Sequence, residues 1–354
     1  MDQLLKEWCE RLAAAQAAGT PLQLRGGGSK DFYGQLPQGE VFDTRAYRGI
    51  IDYAPTELVI TARSGTPLAE IEEAMREAGQ MLAFEPPFFG PGATIGGVIA
   101  AGLSGPRRPY AGAVRDFVLG LRIIDGKGTL LRFGGQVMKN VAGFDVSRVL
   151  AGSLGTLGLI AEVSLKAAPL PAAEITLAYE CDAQAALDRL ARWAAQPLPI
   201  GATAHADGRL LVRLSGAHAA VRAGKQKLGG EEVADAAGFW ASLREQTHGF
   251  FSGAGELWRL AVKPTAAFTD LGVPQLIEWG GAQRWLRYEE SPDPALLRDW
   301  AGAQGGHATM FRGGHKGRGV FQPLSPVLLE LHRRLKRAFD PARILNPGRM
   351  YAEF

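Results

Sequence analysis

The chain has 354 residues, 46% of them apolar and 21% charged, with a formal net charge of +3. That near-neutral balance excludes the strong field of a nucleic-acid or membrane binder, and the length suits two domains of roughly 100–200 residues each. Cys9 and Cys181 stand far apart, outside any CxxC, which excludes a disulfide framework and an iron–sulfur site within the chain.

The opening stretch carries charges throughout, unlike a signal peptide. No run of about 18 uncharged apolar residues is present, so a soluble, reducing compartment is expected. Leu4, Leu5, Trp8 and Leu12 recur at helical spacing and predict an amphipathic first helix. Residues 21–25 read as a strand ended by glycines. Two short strands follow, then a strand at 57–65 and a helix at 66–80, with Thr66 as N-cap and Pro67 at its first position. The small-residue segment 94–105 reads as a tightly packed helix or turn. Residues 117–135 read as a hairpin turning at Asp125-Gly126-Lys127-Gly128. A turn and a long strand over 152–171 close the region. Pro169 and Pro171 mark a boundary, after which helices at 183–195 and 216–228 alternate with strands. An amphipathic helix at 325–341 ends the pattern.

The glycine content is the outlier: 46 residues, well above the usual share of about 7%, in clusters without period. Gly26-Gly27-Gly28 with Ser29 can turn several N–H groups and a hydroxyl on one anion, and Arg25 and Lys30 flank it. That suits a pyrophosphate, although for a triple glycine taken alone a tight turn is the better reading. A P-loop is excluded, because Lys30 is followed by Asp31. The GxGxxxG at 90–96 follows Pro86 and Pro87, which forbid the central strand a Rossmann fingerprint requires. A second cluster, Gly92, Gly96, Gly97, Gly102 and Gly105, would let a planar ligand approach the backbone. Thr94 and Ser104 are donors there, and Arg107, Arg108 and Tyr110 could neutralise phosphate or cover the ligand. Gly152, Gly155 and Gly158 form a third. Three such loops favour a dinucleotide running across one domain.

The stretches PLQLRGGGSKD, GPGATIGGVIAAGLSG with the following DFV, and VLAGSLGTLGLIAEVSL resemble the FAD domain of PCMH-type (vanillyl-alcohol-oxidase-like) flavoproteins. The tail FDPARILNPGRM resembles the end of the same family. RGGGSKDFYG, KNVAGFDVSRVLAGSLGTLG and IEWGGAQRWL are similar to the FAD-binding E-type subunits of glycolate oxidase. The resemblance implies an α+β fold. Its parts would be a PCMH-type FAD-binding domain of two α+β subdomains at 1–171, a smaller α+β cap at 172–310, and a C-terminal segment at 311–354 packing back on the FAD domain. It implies that Arg25, Gly26, Gly27, Gly28 and Ser29 hold the FAD pyrophosphate. Gly92, Thr94, Gly96, Gly97 and Ser104 would line the same cofactor. Asp116 and Val118 would lie near the adenine, Gly158 and Ile160 would contact it through backbone groups, and Asn346 would return close to the flavin ring. Several relatives carry a covalently attached histidine where Ser29 stands, so FAD is expected to be non-covalent.

The resemblance further implies glycolate oxidation to glyoxylate, a catalytic D-type flavoprotein partner, an F-type iron–sulfur partner and a quinone-type acceptor. It also implies a cytoplasmic place, peripheral to the inner membrane through the complex. Catalytic relatives carry a metal-binding pattern resembling HAGDGNLH and a later EHG. Here His205, Asp207 and Gly208 remain, Leu211 stands where the second histidine would fall, and no EHG exists. No metal site is expected, and no catalytic residue is assigned. His307 and His315 are too far apart to chelate from one helical face. Arg312, Lys316 and Arg318 form a basic loop, either solvated or receiving a carboxylate. Asp145 and Glu162 read as structural acids. Trp279, Trp285 and Tyr288 could face a partner or form a buried strand pair. A stand-alone oxidoreductase acting on another 2-hydroxy acid and a non-catalytic flavin scaffold are the alternatives.

Overall fold

The computed structural model describes residues 3–135 and 145–354. The first six residues of the stretch KNVAGFDVSRVLAGSLGTLG, 139–144, lie outside the described residues. The chain divides into two compact units. The first comprises Met1–Leu103, Ala113–Pro169 and Pro323–Phe354; the second comprises Ser104–Gly112 and Leu170–Gln322. The change of unit at Pro169 falls where two prolines punctuate the sequence. The nine-residue excursion from Ser104 to Gly112 leaves no such mark.

In the first unit, helix α1 (Gln3–Ala18) buries Leu5, Trp8, Leu12 and Ala15, one turn apart. Trp8 meets Phe42 and Tyr47 edge-to-face, with centroids 5.5 and 5.6 Å away. Burying each such leucine contributes about 1.5–3 kcal/mol. Strand β1 (Leu22–Arg25) runs parallel to β2 (Glu40–Asp43). Leu345 joins β1 by a parallel bridge to Leu22, so the C-terminal segment extends this small sheet.

Strands β3 (Ile50–Ala54) and β4 (Val59–Arg63) begin an antiparallel sheet. After helix α2 (Leu68–Glu77) and the short β5 (Gln80–Met81), helix α3 (Ile95–Ala101) packs on β4. The sheet is completed by β6 (Val118–Ile124), β7 (Leu130–Gly134) and β8 (Leu159–Lys166), in the order β3-β4-β8-β6-β7. Asp125 makes the predicted hairpin turn, its carboxylate accepting from the backbone N–H groups of Lys127 and Thr129, each at 2.9 Å. The expected cap of α2 is corrected. Pro67 itself is the cap residue, and the buried Thr66 hydroxyl accepts from Gly49 N (2.8 Å) and donates to Arg63 O (2.7 Å). The hydroxyl is spent on tying two strands together, which leaves the helix start without a side-chain cap.

Helix α4 (Arg108–Ala111) lies in the second unit. The short helices α5 (Val114–Phe117) and α6 (Val146–Leu150) and strand β9 (Ala168–Pro169) belong to the first. The remaining strands of the second unit are β10 (Ala173–Glu180), β11 (Ile200–Ala206), β12 (Arg209–Gly216), β13 (Glu231–Glu232), β14 (Glu256–Ala261), β15 (Gln275–Glu278), β16 (Gln283–Tyr288) and β17 (His307–Arg312). They form one antiparallel sheet in the order β13-β10-β12-β11-β15-β16-β14-β17. Helices α7 (Ala183–Ala194) and α8 (His218–Leu228) pack on one half through Leu190 and Val221. Helix α9 (Ala237–Glu245) sets Trp240 Nε1 2.9 Å from Thr176 Oγ1. Helix α10 (Pro294–Ala303) packs on the other half through Leu297 and Ala301.

The tryptophans are part of this frame. Trp285 is buried and donates to Glu278 (2.7 Å), while Trp279 donates to Gly105 O (3.1 Å) and is stacked by Arg108. The basic loop is partnered: Arg318 lies 3.6 Å from the buried Glu256, and Arg312 donates to Gln246 at 3.0 Å.

The last helix, α11 (Pro326–Phe339), returns to the first unit. Lys336 and Asp340 are fully buried there and 2.7 Å apart. Lys336 Nζ also donates to Thr156 O and Leu345 O, and Asp340 accepts from the N–H groups of Ile344 and Leu345. Burial pushes the Lys336 pKa down, and Asp340 pulls it back up.

Candidate cofactor site

Arg25 ends β1, and the three glycines that follow are required for different reasons. A Cβ on Gly26 would lie 2.3 Å from Thr94 Oγ1, and one on Gly27 would lie 1.4 Å from Gly92 O. Gly28 has φ +74°, a left-handed conformation that side chains disfavour. Two loops thus touch backbone to backbone, and Thr94 caps α3 by accepting from Gly97 N at 3.4 Å.

Two adjoining cavities open along this contact. The first, about 90 Å³, is lined by Gly26, Gly27, Gly28, Ser29, Thr94 and Arg349 among others. The second, about 60 Å³, is lined by Thr44, Gly96, Gly155, Gly158 and Ile160 among others. Leu24, Arg25, Gly26, Gly97, Ala100, Leu154 and Asn346 border both. The groove therefore joins the first and third glycine clusters and some of the second.

Its glycine-loop end is electropositive. Arg25 pairs with Asp31 at 2.7 Å. Lys30 Nζ donates to Ser29 Oγ (3.2 Å) and Phe88 O (3.1 Å). Arg349 donates to Asp31 O at 3.0 Å, and burial lowers its pKa. Three cations against one carboxylate border this cavity, a balance suited to the two negative charges of a pyrophosphate.

Asn346 sits with φ 42° and both ends of its amide committed. It accepts from Leu24 N (2.7 Å) and donates to Leu154 O (2.6 Å). It walls the groove by holding β1 against the loop before β8. Arg349 and Thr44 were not picked out from sequence; Arg349, three residues beyond Asn346 in the FDPARILNPGRM tail, was the readable one.

The other assigned residues lie elsewhere. Gly92 meets Gly27 outside both cavity linings. Ser104 belongs to the second unit. Asp116 accepts from Ala113 N at the start of α5 and pairs with Arg148 at 3.4 Å, and Val118 opens β6. Ile160 pairs with Ile123, five residues along β6 from Val118, a span of roughly 17 Å at strand rise. Only an extended ligand could reach both.

A larger cavity of about 310 Å³ lies on the sheet face beside Thr61, Arg122, Glu162 and Ser164. Thr61 and Ser164 bond to each other at 2.9 Å, and Glu162 accepts from Tyr47 (2.7 Å) and Arg122 (2.6 Å). It has no glycine loop of the kind that forms the cradle. Asp145 caps α6 and pairs with Arg148.

The remnant of the metal pattern serves as a turn. Asp207 (φ 51°) and Gly208 (φ 76°) join β11 to β12, as an Asp-Gly hairpin requires. The buried His205 bonds to Cys181 O through Nε2 at 2.9 Å. Among the described residues, no group of three or more His, Cys, Asp or Glu side chains could hold a metal.

A glycine-built groove in a unit of parallel pair and five-stranded antiparallel sheet, joined in one chain to an all-antiparallel second unit, is the arrangement of a PCMH-type FAD flavoprotein, and the comparisons bear out that class. The family model "FAD binding domain" matches residues 5–134, and "FAD linked oxidases, C-terminal domain" matches 318–350. The chain is 50% identical over 344 residues to glycolate oxidase subunit GlcE of Escherichia coli (strain K12), covering 97% of this chain and 96% of that one. It is 31% identical over 159 residues to glycolate oxidase subunit GlcD of Bacillus subtilis (strain 168), covering 44% of this chain and 34% of that one. An alkyldihydroxyacetonephosphate synthase structure superposes with a TM-score of 0.66 at 17% identity, covering 97% of this chain and 74% of that one. The chain belongs to the GlcE family of FAD-binding glycolate oxidase subunits, and its cofactor is FAD.

Proposed function

We propose that this chain is the FAD-carrying E-type subunit of a complex that oxidises glycolate to glyoxylate. A D-type flavoprotein and an F-type iron–sulfur subunit complete the complex and pass electrons to a quinone-type acceptor. The observation that carries this reading is 50% identity along 97% of the chain to a subunit of that activity. When bound, FAD supplies a two-electron acceptor that can release its electrons singly.

The residues at the groove support non-covalent binding. The N–H groups of Gly26–Gly28 and the Ser29 hydroxyl would hold the pyrophosphate, with Arg25, Lys30 and Arg349 balancing its charge. Gly158 and Ile160 would meet the ligand through backbone groups, and Leu24, Ala100 and Leu154 would exclude water. Ser29 offers no imidazole for a covalent link. No helix among the described residues is long and apolar enough to cross a membrane; association at the inner membrane would come through partners.

The test is the anaerobic visible spectrum of the purified chain before and after glycolate. A flavin band that persists alone but bleaches in the assembled complex is expected. Bleaching by the chain alone would place the chemistry here and favour the stand-alone reading. Failure to take up FAD would remove the cradle assignment.

A further inference from the structure

Leu328, Leu331, Leu335 and Phe339 recur along helix α11 at i, i+3, i+7 and i+11 and so share one face. At its C-terminal end this face meets the first unit: Phe339 packs edge-to-face on Phe133 at 6.1 Å, beside the buried Lys336. At its N-terminal end it is bare. Val327 is 80% exposed, Leu331 58% and Leu328 47%. Single exposed aliphatics are ordinary, but a contiguous stripe along one helix is not.

The stripe runs into a cavity of about 120 Å³. Val149, Leu157, Leu335, Met350 and Phe354 give it apolar walls. Two polar atoms lie in the same lining without a hydrogen-bond partner: Ser153 Oγ, on a residue 5% exposed, and His332 Nδ1. Leaving a buried polar group unsatisfied is costly. An apolar pocket on the order of 150 Å³ can take up a benzene ring. The cavity thus suits an aromatic side chain with a hydrogen-bonding tip, the usual anchor of a protein interface. The polar side of the same helix carries Arg333, Arg334 and Arg337 against Glu330, to which Arg334 and Arg337 reach.

We propose that the exposed face of α11 and this cavity are the docking site for another subunit of the complex. That subunit would insert a tyrosine-like side chain between Ser153 and His332 and bring an acidic rim to the arginines. The inference rests on the multi-subunit reading above. An apolar stripe rimmed by arginines would also suit an anionic membrane. A lipid chain, however, would leave Ser153 Oγ and His332 Nδ1 unsatisfied, so the cavity favours protein.

The experiment co-purifies the tagged full chain with its flavoprotein and iron–sulfur partners, comparing wild type with Leu331→Asp, Val327→Asp and Ser153→Ala. Leu296→Asp, at an exposed leucine of the second unit, is the control. Leu331→Asp and Val327→Asp are expected to lower partner retention more than tenfold, and Ser153→Ala several-fold. FAD content and melting temperature should match wild type, and Leu296→Asp should retain partners normally. Val327→Asp, at the most exposed position, carries the test if Leu331→Asp misfolds. Full retention by both aspartate variants would overturn the docking site while leaving the complex intact. Failure of wild type to associate would sink the multi-subunit reading and the docking site with it. A dimer of the chain alone that Leu331→Asp breaks would reassign the face to a second copy. Binding to phosphatidylglycerol vesicles that Leu331→Asp abolishes would reassign it to a membrane.

Discussion

Gly27 has no room for a side chain, because its missing Cβ would overlap Gly92 O at 1.4 Å. Gly27→Ala must therefore push the touching backbones apart, at a cost of about 1–3 kcal/mol or more, and should lower the flavin-to-protein ratio at least tenfold. Gly238→Ala is the contrast: the site is helical with nothing within 4 Å of the added carbon, and about 0.5–1 kcal/mol of added stability is expected. Absorbance of bound FAD and melting curves check both. Tyr47 offers a pH test. Burial, then its bond to Glu162, raises its phenol from 10.0 to about 12. The folded form favours the neutral phenol, so this contribution is complete below pH 10 and is lost as pH rises from 10 to 12. Tyr47→Phe should lose less stability than wild type across that window in urea titrations; equal losses would refute the assignment. At this scale the sequence was informative where chemistry is local. Gly26–Gly28 and Ser29 stood out only because three glycine clusters in one domain exceed what turns require. Arg349 could be found in the recognisable tail, but its role could not, because that depends on Asp31, more than 300 positions away in the chain.

The C-terminal helix was legible as an element and opaque as a device. Its apolar periodicity predicted α11 with little error, but two details came only from packing. Lys336 points inward, and the N-terminal part of the leucine stripe is left exposed. Removing one partner of the buried Lys336–Asp340 pair leaves an uncompensated charge, so Lys336→Met should cost about 3–5 kcal/mol. Lys336→Met/Asp340→Leu should cost less than the sum of the two single changes, as read from urea midpoints; strict additivity would show that the pair is not coupled. The β6–β7 hairpin was fully legible, because Asp-Gly turn chemistry acts within four residues. The start of α2 was not, because Thr66 serves Gly49, just ahead of β3, rather than its own helix.

At the scale of the molecule, the two units should answer FAD differently. Both cavities of the groove lie in the first unit. A ligand at about 100 times its Kd adds roughly 2.7 kcal/mol to the state that binds it. In native-state hydrogen exchange, FAD should slow exchange of β1, α3 and β8 by up to about a hundredfold while leaving β10–β17 unchanged. Equal slowing of both units would place the ligand elsewhere or show that they unfold as one. By itself the sequence determined the longer elements of the first unit, the glycine loops and the lack of a second metal-ligating histidine, since each is written in adjacent residues. Only the tertiary structure decided the assignment of Ser104–Gly112 to the second unit, the clamping of β1 by Asn346 and the stripe left bare on α11. Those depend on which distant segments meet, and burial of that kind leaves no periodicity in the chain to read.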